Sequence, residues 1–144
     1  MTAKARLLLA DGDALKVEAF SELLEPEFEV VGAVTNGLAL LHEAVRLKPD
    51  VVLLDLDLPK LNGSDAGKQI HKHLPCTKMV VVTTREDFQS AAQSLDQWAS
   101  AYLLKRSRAS ELIQAVREVL NGKAYVTPSV AHRLFEEFVR NLDA

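Results

Sequence analysis

One stretch constrains the fold more than any other part of the chain: residues 51–63, with the sequence VVLLDLDLPKLNG. Its first four residues are apolar without a polar break, as in a strand that is buried on both faces of a parallel sheet. The strand ends at a carboxylate, Asp55, and a Pro and an Asn-Gly pair then turn the chain. Open α/β sheets bind their ligands at the C-terminal ends of the strands. Asp55 is therefore the first candidate for a functional side chain.

Apolar runs alternate with helical patterns along the rest of the chain. The runs predict strands at residues 5–10, 28–34, 51–55, 78–83 and 101–104. The periodic patterns predict helices at residues 14–25, after Gly37 to about 48, 64–74, 86–97 and 109–120. Pro128, a residue suited to a first helical turn, starts a last helix that runs toward Asn141.

This alternation predicts a fold of the α/β class. Repeated βαβ units give a parallel sheet with helices on both faces, and right-handed crossovers leave few topologies for a chain of 144 residues. We expect a flavodoxin-like (βα)5 doubly wound sheet with strand order 2-1-3-4-5 and an extra C-terminal helix. Residues 1–122 would form the main domain, and residues 123–144 a linker and helix.

Polar side chains follow four of the predicted strands. These are Asp11, Asp55, Thr83 and Lys105. Because parallel strands end at the same edge of a sheet, we expect two acids, a hydroxyl and an amine in one small volume. This set suits phosphoryl transfer to a carboxylate, with Asp55 as nucleophile and Mg²⁺ held by oxygen ligands. Lys105 and Thr83 would donate hydrogen bonds to the phosphoryl oxygens.

The same residues carry a family resemblance. Residues 55–63, 80–84 (VVVTT) and 102–105 (YLLK) resemble the phosphoacceptor, switch-threonine and lysine blocks of two-component response regulator receiver domains. The tail, residues 121–128, is similar to the end of NarL/LuxR-type receivers, where a linker to a DNA-binding domain begins. The resemblance implies a Mg²⁺-dependent phosphoacceptor that takes its phosphoryl group from a histidine kinase, rather than an enzyme with turnover.

The resemblance also implies a role for each matched position. Phosphorylation would change the face formed by the fourth helix, fifth strand and fifth helix, roughly residues 86–120, and so its affinity for a partner. That face, or the C-terminal helix, would also serve a homodimer. The implied roles are phosphoacceptor for Asp55, metal ligands for Asp11, Asp55 and the backbone carbonyl of Asp57, phosphate contact for Lys105, and switch pair for Thr83 and Tyr102.

One departure from the family pattern affects the metal site. Receivers usually have two adjacent acids after the first strand, whereas this chain has Asp11-Gly12-Asp13. Asp13 is either a substitute ligand, since Gly12 loosens the backbone, or the N-cap of the following helix. A degenerate receiver, which binds partners without being phosphorylated, is therefore the alternative to a phosphorylation switch.

Composition and motif content exclude other classes of function. A net charge of −3 argues against a nucleic-acid surface on this chain, and a single cysteine, Cys76, favours a reducing compartment. The apolar run at residues 7–10 is too short for a signal peptide or a membrane span, so we expect a cytoplasmic location. Asp55-Leu56-Asp57 also fits the nucleophile motif of haloacid-dehalogenase-like phosphatases. Those enzymes need a later acidic pair, whereas the fourth and fifth strands end in Thr83-Thr84 and Lys105.

Overall fold

The computed structural model describes residues 3–142, and in that range it has six strands and six helices. Every predicted element is present, and the predicted ends lie within two residues of the observed ones. In chain order the elements are β1 (Arg6–Ala10), α1 (Ala14–Leu24), β2 (Glu29–Val34), α2 (Gly37–Leu47), β3 (Val51–Leu54), α3 (Gly63–His73), β4 (Lys78–Thr83), α4 (Phe88–Gln97), β5 (Ala101–Leu104), α5 (Ala109–Leu120), β6 (Tyr125–Val126) and α6 (Pro128–Leu142).

The strands form one parallel sheet in the order β2-β1-β3-β4-β5-β6. Leu53, in the buried strand that precedes Asp55, pairs with Leu9 on one side and Val80 on the other. The predicted α/β class, the flavodoxin-like doubly wound sheet and the order 2-1-3-4-5 are confirmed. Because all strands run the same way, β1, β3, β4 and β5 end at one edge of the sheet.

The side chains of alternate strand residues enter two separate cores. One core lies between the sheet and helices α1 and α5, and the other lies between the sheet and helices α2, α3, α4 and α6. The central strands are apolar on both faces because both faces are covered, which explains the unbroken apolar runs in the sequence. The first core includes Leu7, Leu9, Val17, Val51, Val80 and Val116, and the second includes Leu8, Leu40, Val52, Ile70, Met79 and Tyr102.

The turn after β3 is held against the end of that strand. The N–H of Gly63 donates a hydrogen bond to the carbonyl of Leu56 (2.8 Å). A Cβ atom at Gly63 would lie 2.1 Å from the carbonyl oxygen of Asp55, so this position has no room for a side chain. Asn62 caps α3 by accepting a hydrogen bond from the N–H of Asp65 (2.9 Å). The Asn-Gly pair therefore starts α3 directly beside the candidate phosphoacceptor.

The segment predicted as a linker contributes a sixth strand. Tyr125 pairs with Ala101, Val126 pairs with Tyr102, and the N–H of Thr127 donates to the carbonyl of Tyr102 (3.0 Å). Two residues are too few for a periodic signal in the sequence, and the strand exists because the edge of β5 supplies hydrogen-bond partners. The order within the described residues is thus 2-1-3-4-5-6.

The last helix lies against the rest of the domain. α6 packs on α4, and Val130, which is 1% exposed, belongs to the core. Its C-terminal half leaves four apolar side chains exposed: Phe135, Phe138, Val139 and Leu142. The division at residue 122 remains a prediction, and residues 1–2 and 143–144 lie outside the described range. Within residues 3–142, no helix has the length and apolar character needed to cross a membrane.

Candidate phosphoacceptor site

The structure brings together side chains at the C-terminal ends of four strands, β1, β3, β4 and β5. Asp11, Asp55 and Thr83 are 3%, 6% and 0% exposed, so they are buried although they are polar. Lys105 follows β5, and its side chain is 13% exposed. The prediction that these residues converge on one edge of the sheet is therefore consistent with the geometry.

Lys105 lies between the two acids. Its Nζ is 2.8 Å from Oδ2 of Asp11 and 2.7 Å from Oδ2 of Asp55. Burial lowers the pKa of Lys105, but the hydrogen bonds to the two carboxylates outweigh it and raise that pKa above its ordinary value. The lysine therefore stays charged at neutral pH and neutralises part of the acidic pair.

Backbone N–H groups hold the other oxygen of each carboxylate. The N–H of Asp13 donates to Oδ1 of Asp11 (2.9 Å), and the N–H of Asp57 donates to Oδ1 of Asp55 (3.2 Å). Each acid is thus fixed by one N–H group and one shared ammonium. These contacts fix the orientation of the Asp55 carboxylate.

Asp13 caps the first helix. Its side chain accepts a hydrogen bond from the N–H of Leu15 (2.9 Å), as an N-cap residue does. Of the two alternatives that the sequence left open for this residue, the structure therefore contains the helix cap. Residues 3–142 contain no group of three or more His, Cys, Asp and Glu side chains placed to share a metal ion.

The donor set nevertheless fits a Mg²⁺ ion, which prefers oxygen ligands and retains several waters. Two carboxylates, from Asp11 and Asp55, stand near the loop that carries the carbonyl of Asp57. Among the described residues no donor is bonded to that carbonyl oxygen. A Cβ atom at Gly12 would lie 3.4 Å from Cδ of Pro59 and 3.9 Å from this carbonyl oxygen, so a side chain at position 12 would begin close to it. This chain has no side chain there and lacks one acid that would complete the set.

The two residues predicted as a switch pair, Thr83 and Tyr102, are connected through a residue that the sequence analysis missed. The N–H of Arg85 donates to Oγ1 of Thr83 (3.3 Å), and the hydroxyl of Tyr102 donates to the carbonyl of Arg85 (2.8 Å). Tyr102 is fully buried, and this burial, together with the charge of Asp87, raises the pKa of its phenol. The ring therefore already occupies an inward position.

The side chain of Arg85 reaches the loop after β3. Its guanidinium forms a forked ion pair with the carboxylate of Asp57, with Nη2–Oδ1 2.5 Å and Nε–Oδ1 3.1 Å. This hydrogen bonding raises the pKa of Arg85. The only signal in the sequence was the position of Arg85, two residues after Thr83, because a contact between two loops produces no periodic pattern.

Comparison with known proteins identifies related sequences and structures. Residues 7–117 match the family described as the response regulator receiver domain. The chain is 35% identical over 139 residues to the transcriptional regulatory protein DegU of Brevibacillus brevis, covering 95% of this chain and 59% of that protein. A LuxR-family two-component response regulator from Aurantimonas has a similar structure, with a TM-score of 0.90, 27% identity, and coverage of 95% of this chain and 99% of that one.

A second solved structure is also similar to this chain. The signal receiver domain of the NarL response regulator from Mycobacterium tuberculosis superposes with a TM-score of 0.80 at 28% identity, covering 85% of this chain and all of that one. The chain spans 59–64% of the length of the first relatives it matches. The likeness to transcriptional regulators therefore covers one part of those proteins.

Proposed function

The chain belongs to the response regulator receiver domain family, and from this membership we propose that it is a phosphoacceptor switch of a two-component system, phosphorylated on Asp55 by a histidine kinase. The observation that carries the proposal is the position of Asp55, which stands buried at the end of a central strand with the Lys105 ammonium 2.7 Å from its Oδ2. A carboxylate that is held at the end of a strand beside an ammonium group can act as the nucleophile of a phosphoryl transfer.

In the proposed reaction an oxygen of Asp55 attacks the phosphorus atom of the kinase's phosphohistidine. The new O–P bond forms as the P–N bond breaks, and the imidazole of the kinase keeps the electron pair. Lys105 leaves Asp55 and donates to an oxygen of the transferred group, while Asp11 retains one end of the lysine contact. The Thr83 hydroxyl donates to a second oxygen after it releases the N–H of Arg85.

Mg²⁺ would be held by the carboxylates of Asp11 and Asp55 and by the backbone carbonyl of Asp57. When bound, it supplies positive charge between the acids and the phosphoryl oxygens. With Gly12 in place of an acid, the site contributes fewer negative ligands, and we expect Mg²⁺ to bind weakly in the absence of the phosphoryl group. Asp13 is engaged as the cap of α1, which argues against its use as a substitute ligand.

Thr83 and Tyr102 would relay phosphorylation to the face formed by α4, β5 and α5. If the Thr83 hydroxyl turns to the phosphoryl group, the backbone of Arg85 loses one contact and the Tyr102 hydroxyl follows its carbonyl. In this chain β6 pairs with β5 and α6 packs on α4, so the surface that responds includes α6. A change in this surface would alter its affinity for a partner.

The partners follow from the family and the relatives. We propose a histidine kinase as the phosphoryl donor and a homodimer formed through the α4–β5–α5 face or through α6, with no membrane contact and a cytoplasmic location. The relatives are transcriptional regulators, so the proposed output is transcription, acting through a DNA-binding domain outside these 144 residues. The chain itself would be a regulatory phosphoacceptor that takes phosphoryl groups from small donors and slowly loses them.

A degenerate receiver that binds partners without phosphorylation is the second candidate. It is favoured by Gly12, which removes a metal ligand, and by the two ion pairs that already occupy Lys105. Under this alternative the output would be unaffected by Asp55→Ala.

Covalent labelling distinguishes the two candidates. The protein is incubated with acetyl phosphate and Mg²⁺, and its intact mass is measured over time. We expect wild type to gain one phosphoryl group and Asp55→Asn to gain none. Absence of an adduct on wild type, or an equal adduct on Asp55→Asn, would reject phosphorylation of Asp55.

A further inference from the structure

A short segment at the end of the domain covers the α4–β5–α5 face. This segment, residues 125–134, consists of β6 and the first half of α6 and is called the strap. It contacts all three elements of the face, because β6 pairs with the edge of β5 and packs beside α5, and α6 packs on α4. At the edge of β5, the N–H of Tyr125 donates to the carbonyl of Ser100 (3.1 Å), and the N–H of Thr127 donates to the carbonyl of Tyr102 (3.0 Å). A partner that docks on this face therefore meets the strap first.

One carboxylate on α5 holds the strap through two hydrogen bonds. Oε1 of Glu111 accepts from the hydroxyl of Tyr125 (2.9 Å) and from the hydroxyl of Thr127 (2.6 Å). Burial, together with the hydrogen bond to Glu111, raises the pKa of Tyr125 to about 12, so its phenol is a neutral donor at pH 7. Both donors belong to the strap and the acceptor belongs to α5. These two bonds therefore exist only while the strap is docked.

Apolar side chains complete the docking, but only over the first half of α6. Val130 is buried in the core, and Leu134 packs against the same core. The next apolar side chain, Phe135, is already exposed. The strap is thus held by a few hydrogen bonds and two apolar side chains. A segment with so few contacts can open locally while the sheet remains folded.

The strap is also bonded to residues near the proposed phosphorylation site. The N–H of Thr127 is bonded to Tyr102, whose own hydroxyl donates to the carbonyl of Arg85. The hydroxyl of Thr127 is 3.4 Å from that of Ser107, which lies two residues after Lys105 in the turn that follows β5. A shift of Tyr102, or of the turn that carries Lys105, therefore changes contacts that hold the strap.

We propose that the strap is an autoinhibitory segment, which covers the α4–β5–α5 face until phosphorylation of Asp55 lowers the fraction of molecules in which it is docked. The uncovered face then binds the same face of a second copy. The open edge of β5 has free amide and carbonyl groups, and a two-fold axis brings two such edges together. The phosphorylation step and the choice of this face for the homodimer rest on the proposed function.

Three substitutions loosen the strap at a distance from Asp55. Thr127→Val and Tyr125→Phe each remove one donor, and Glu111→Ala removes the acceptor of both. Thr127 leaves the face together with the strap, so its substitution does not alter the uncovered surface. Thr127→Ser keeps the hydroxyl and should restore the wild-type behaviour. Glu27→Ala is the matched control, because it breaks an ion pair between α5 and the segment before β2, away from the strap.

The experiment compares strap opening with dimer formation in the absence of a phosphoryl donor. Hydrogen exchange, measured by mass spectrometry on peptides from residues 125–134, reports opening, and sedimentation velocity gives the dissociation constant of the dimer. We expect Glu111→Ala to raise strap exchange roughly five- to 30-fold because two hydrogen bonds are lost, and the single-donor variants to raise it less. The dissociation constant should fall by the same factor, since the apparent affinity is proportional to the open fraction. Glu27→Ala should match wild type in both measurements.

A second measurement adds acetyl phosphate and Mg²⁺ to wild type and records the adduct by intact mass. In this reaction an Asp55 oxygen bonds to phosphorus, the bond from phosphorus to the acyl oxygen breaks, and acetate leaves with the electron pair. Strap exchange and dimer formation should rise together with the adduct. Adding Phe138→Asp to Glu111→Ala tests the exposed apolar end of α6 as the dimer contact, and the gain in dimer formation should survive this change.

Three results would overturn the inference and leave the proposed phosphorylation intact. These are a phosphoryl adduct on wild type with unchanged strap exchange, wild-type exchange in both Glu111→Ala and Thr127→Val, and loosened variants whose dimer formation is unchanged or is abolished by Phe138→Asp. Failure of wild type to form any adduct would instead reject the proposed function and the phosphorylation step of the inference. The variants without a donor would then still decide whether the strap covers the dimer face.

Discussion

Gly12→Asp should strengthen Mg²⁺ binding. Position 12 can accept a side chain, because its backbone is outside the left-handed region and an added Cβ would meet Pro59 at 3.4 Å, an ordinary contact. The same Cβ would lie 3.9 Å from the carbonyl oxygen of Asp57. A carboxylate on this Cβ would therefore be added where the proposed site has a carbonyl ligand but no third acid.

The size of the effect follows from the charges. A carboxylate about 4 Å from a divalent cation gains about 2 kcal/mol even with the full screening of water. That gain corresponds to roughly 30-fold in the dissociation constant. In the metal-free variant the new carboxylate would repel those of Asp11 and Asp55. This repulsion should favour cation binding further, and it should make the variant less stable without Mg²⁺.

Isothermal titration calorimetry with MgCl₂ measures the affinity, and Gly12→Asn is the control because it has the same shape without the charge. We expect tightening by at least tenfold for Gly12→Asp and little change for Gly12→Asn. The melting temperature of Gly12→Asp should also rise more steeply with Mg²⁺ than that of wild type. Equal affinities for the Asp and Asn variants would show that position 12 does not face the cation.

Three further substitutions test the charge and hydrogen bonding of the site and the packing of the core. Lys105→Met leaves the two acids beside it without a cation, and urea denaturation at pH 7 should give a loss of about 3 kcal/mol in the free energy of unfolding. The pKa of Lys105 in the folded protein is raised above its ordinary 10.5, so its ion pairs contribute fully to the free energy of unfolding below pH 10.5. This contribution is lost as the pH rises through the folded-state pKa, and Lys105→Met should lack that alkaline loss of stability. Gly67→Ala would bring a Cβ to 2.5 Å from the Trp98 ring and should lower the free energy of unfolding by about 1–3 kcal/mol. Adding Trp98→Leu to the same chain should restore part of this loss. An unchanged thermal stability of Gly67→Ala would contradict this packing. Tyr102→Phe removes the hydrogen bond to the Arg85 carbonyl and should cost about 1 kcal/mol by urea denaturation, whereas an unchanged midpoint would mean that the bond contributes nothing.

The fold was predictable from the sequence because its main signals are local. Unbroken apolar runs such as residues 51–54 indicate strands covered on both faces, and the intervening helical patterns require crossover connections. β6 was missed for the opposite reason. Tyr125 and Val126 carry no pattern of their own, and their conformation depends on hydrogen bonds offered by the edge of β5.

The site was predictable where it depends on strand ends and not where it depends on loops. Asp11, Asp55 and Lys105 each directly follow a strand, and Thr83 is the last residue of one, so the topology alone brings them together. Arg85 lies in an exposed loop, and its partner comes from another loop 28 residues away. Such a pairing is decided by the three-dimensional arrangement of the loops, which no local pattern records.

The pairing of β6 with β5 also has a consequence for how the protein behaves in concentrated solution. A parallel sheet that stopped at β5 would offer four apolar residues, Ala101–Leu104, with free amide and carbonyl groups to strands of other molecules. The two residues of β6 pair with the first half of that edge, Ala101 and Tyr102, and one residue later a helix begins at Pro128, whose ring nitrogen has no hydrogen to donate. A protein shortened to residue 122 would lose this protection, and strands of other molecules could then pair with the whole edge of β5.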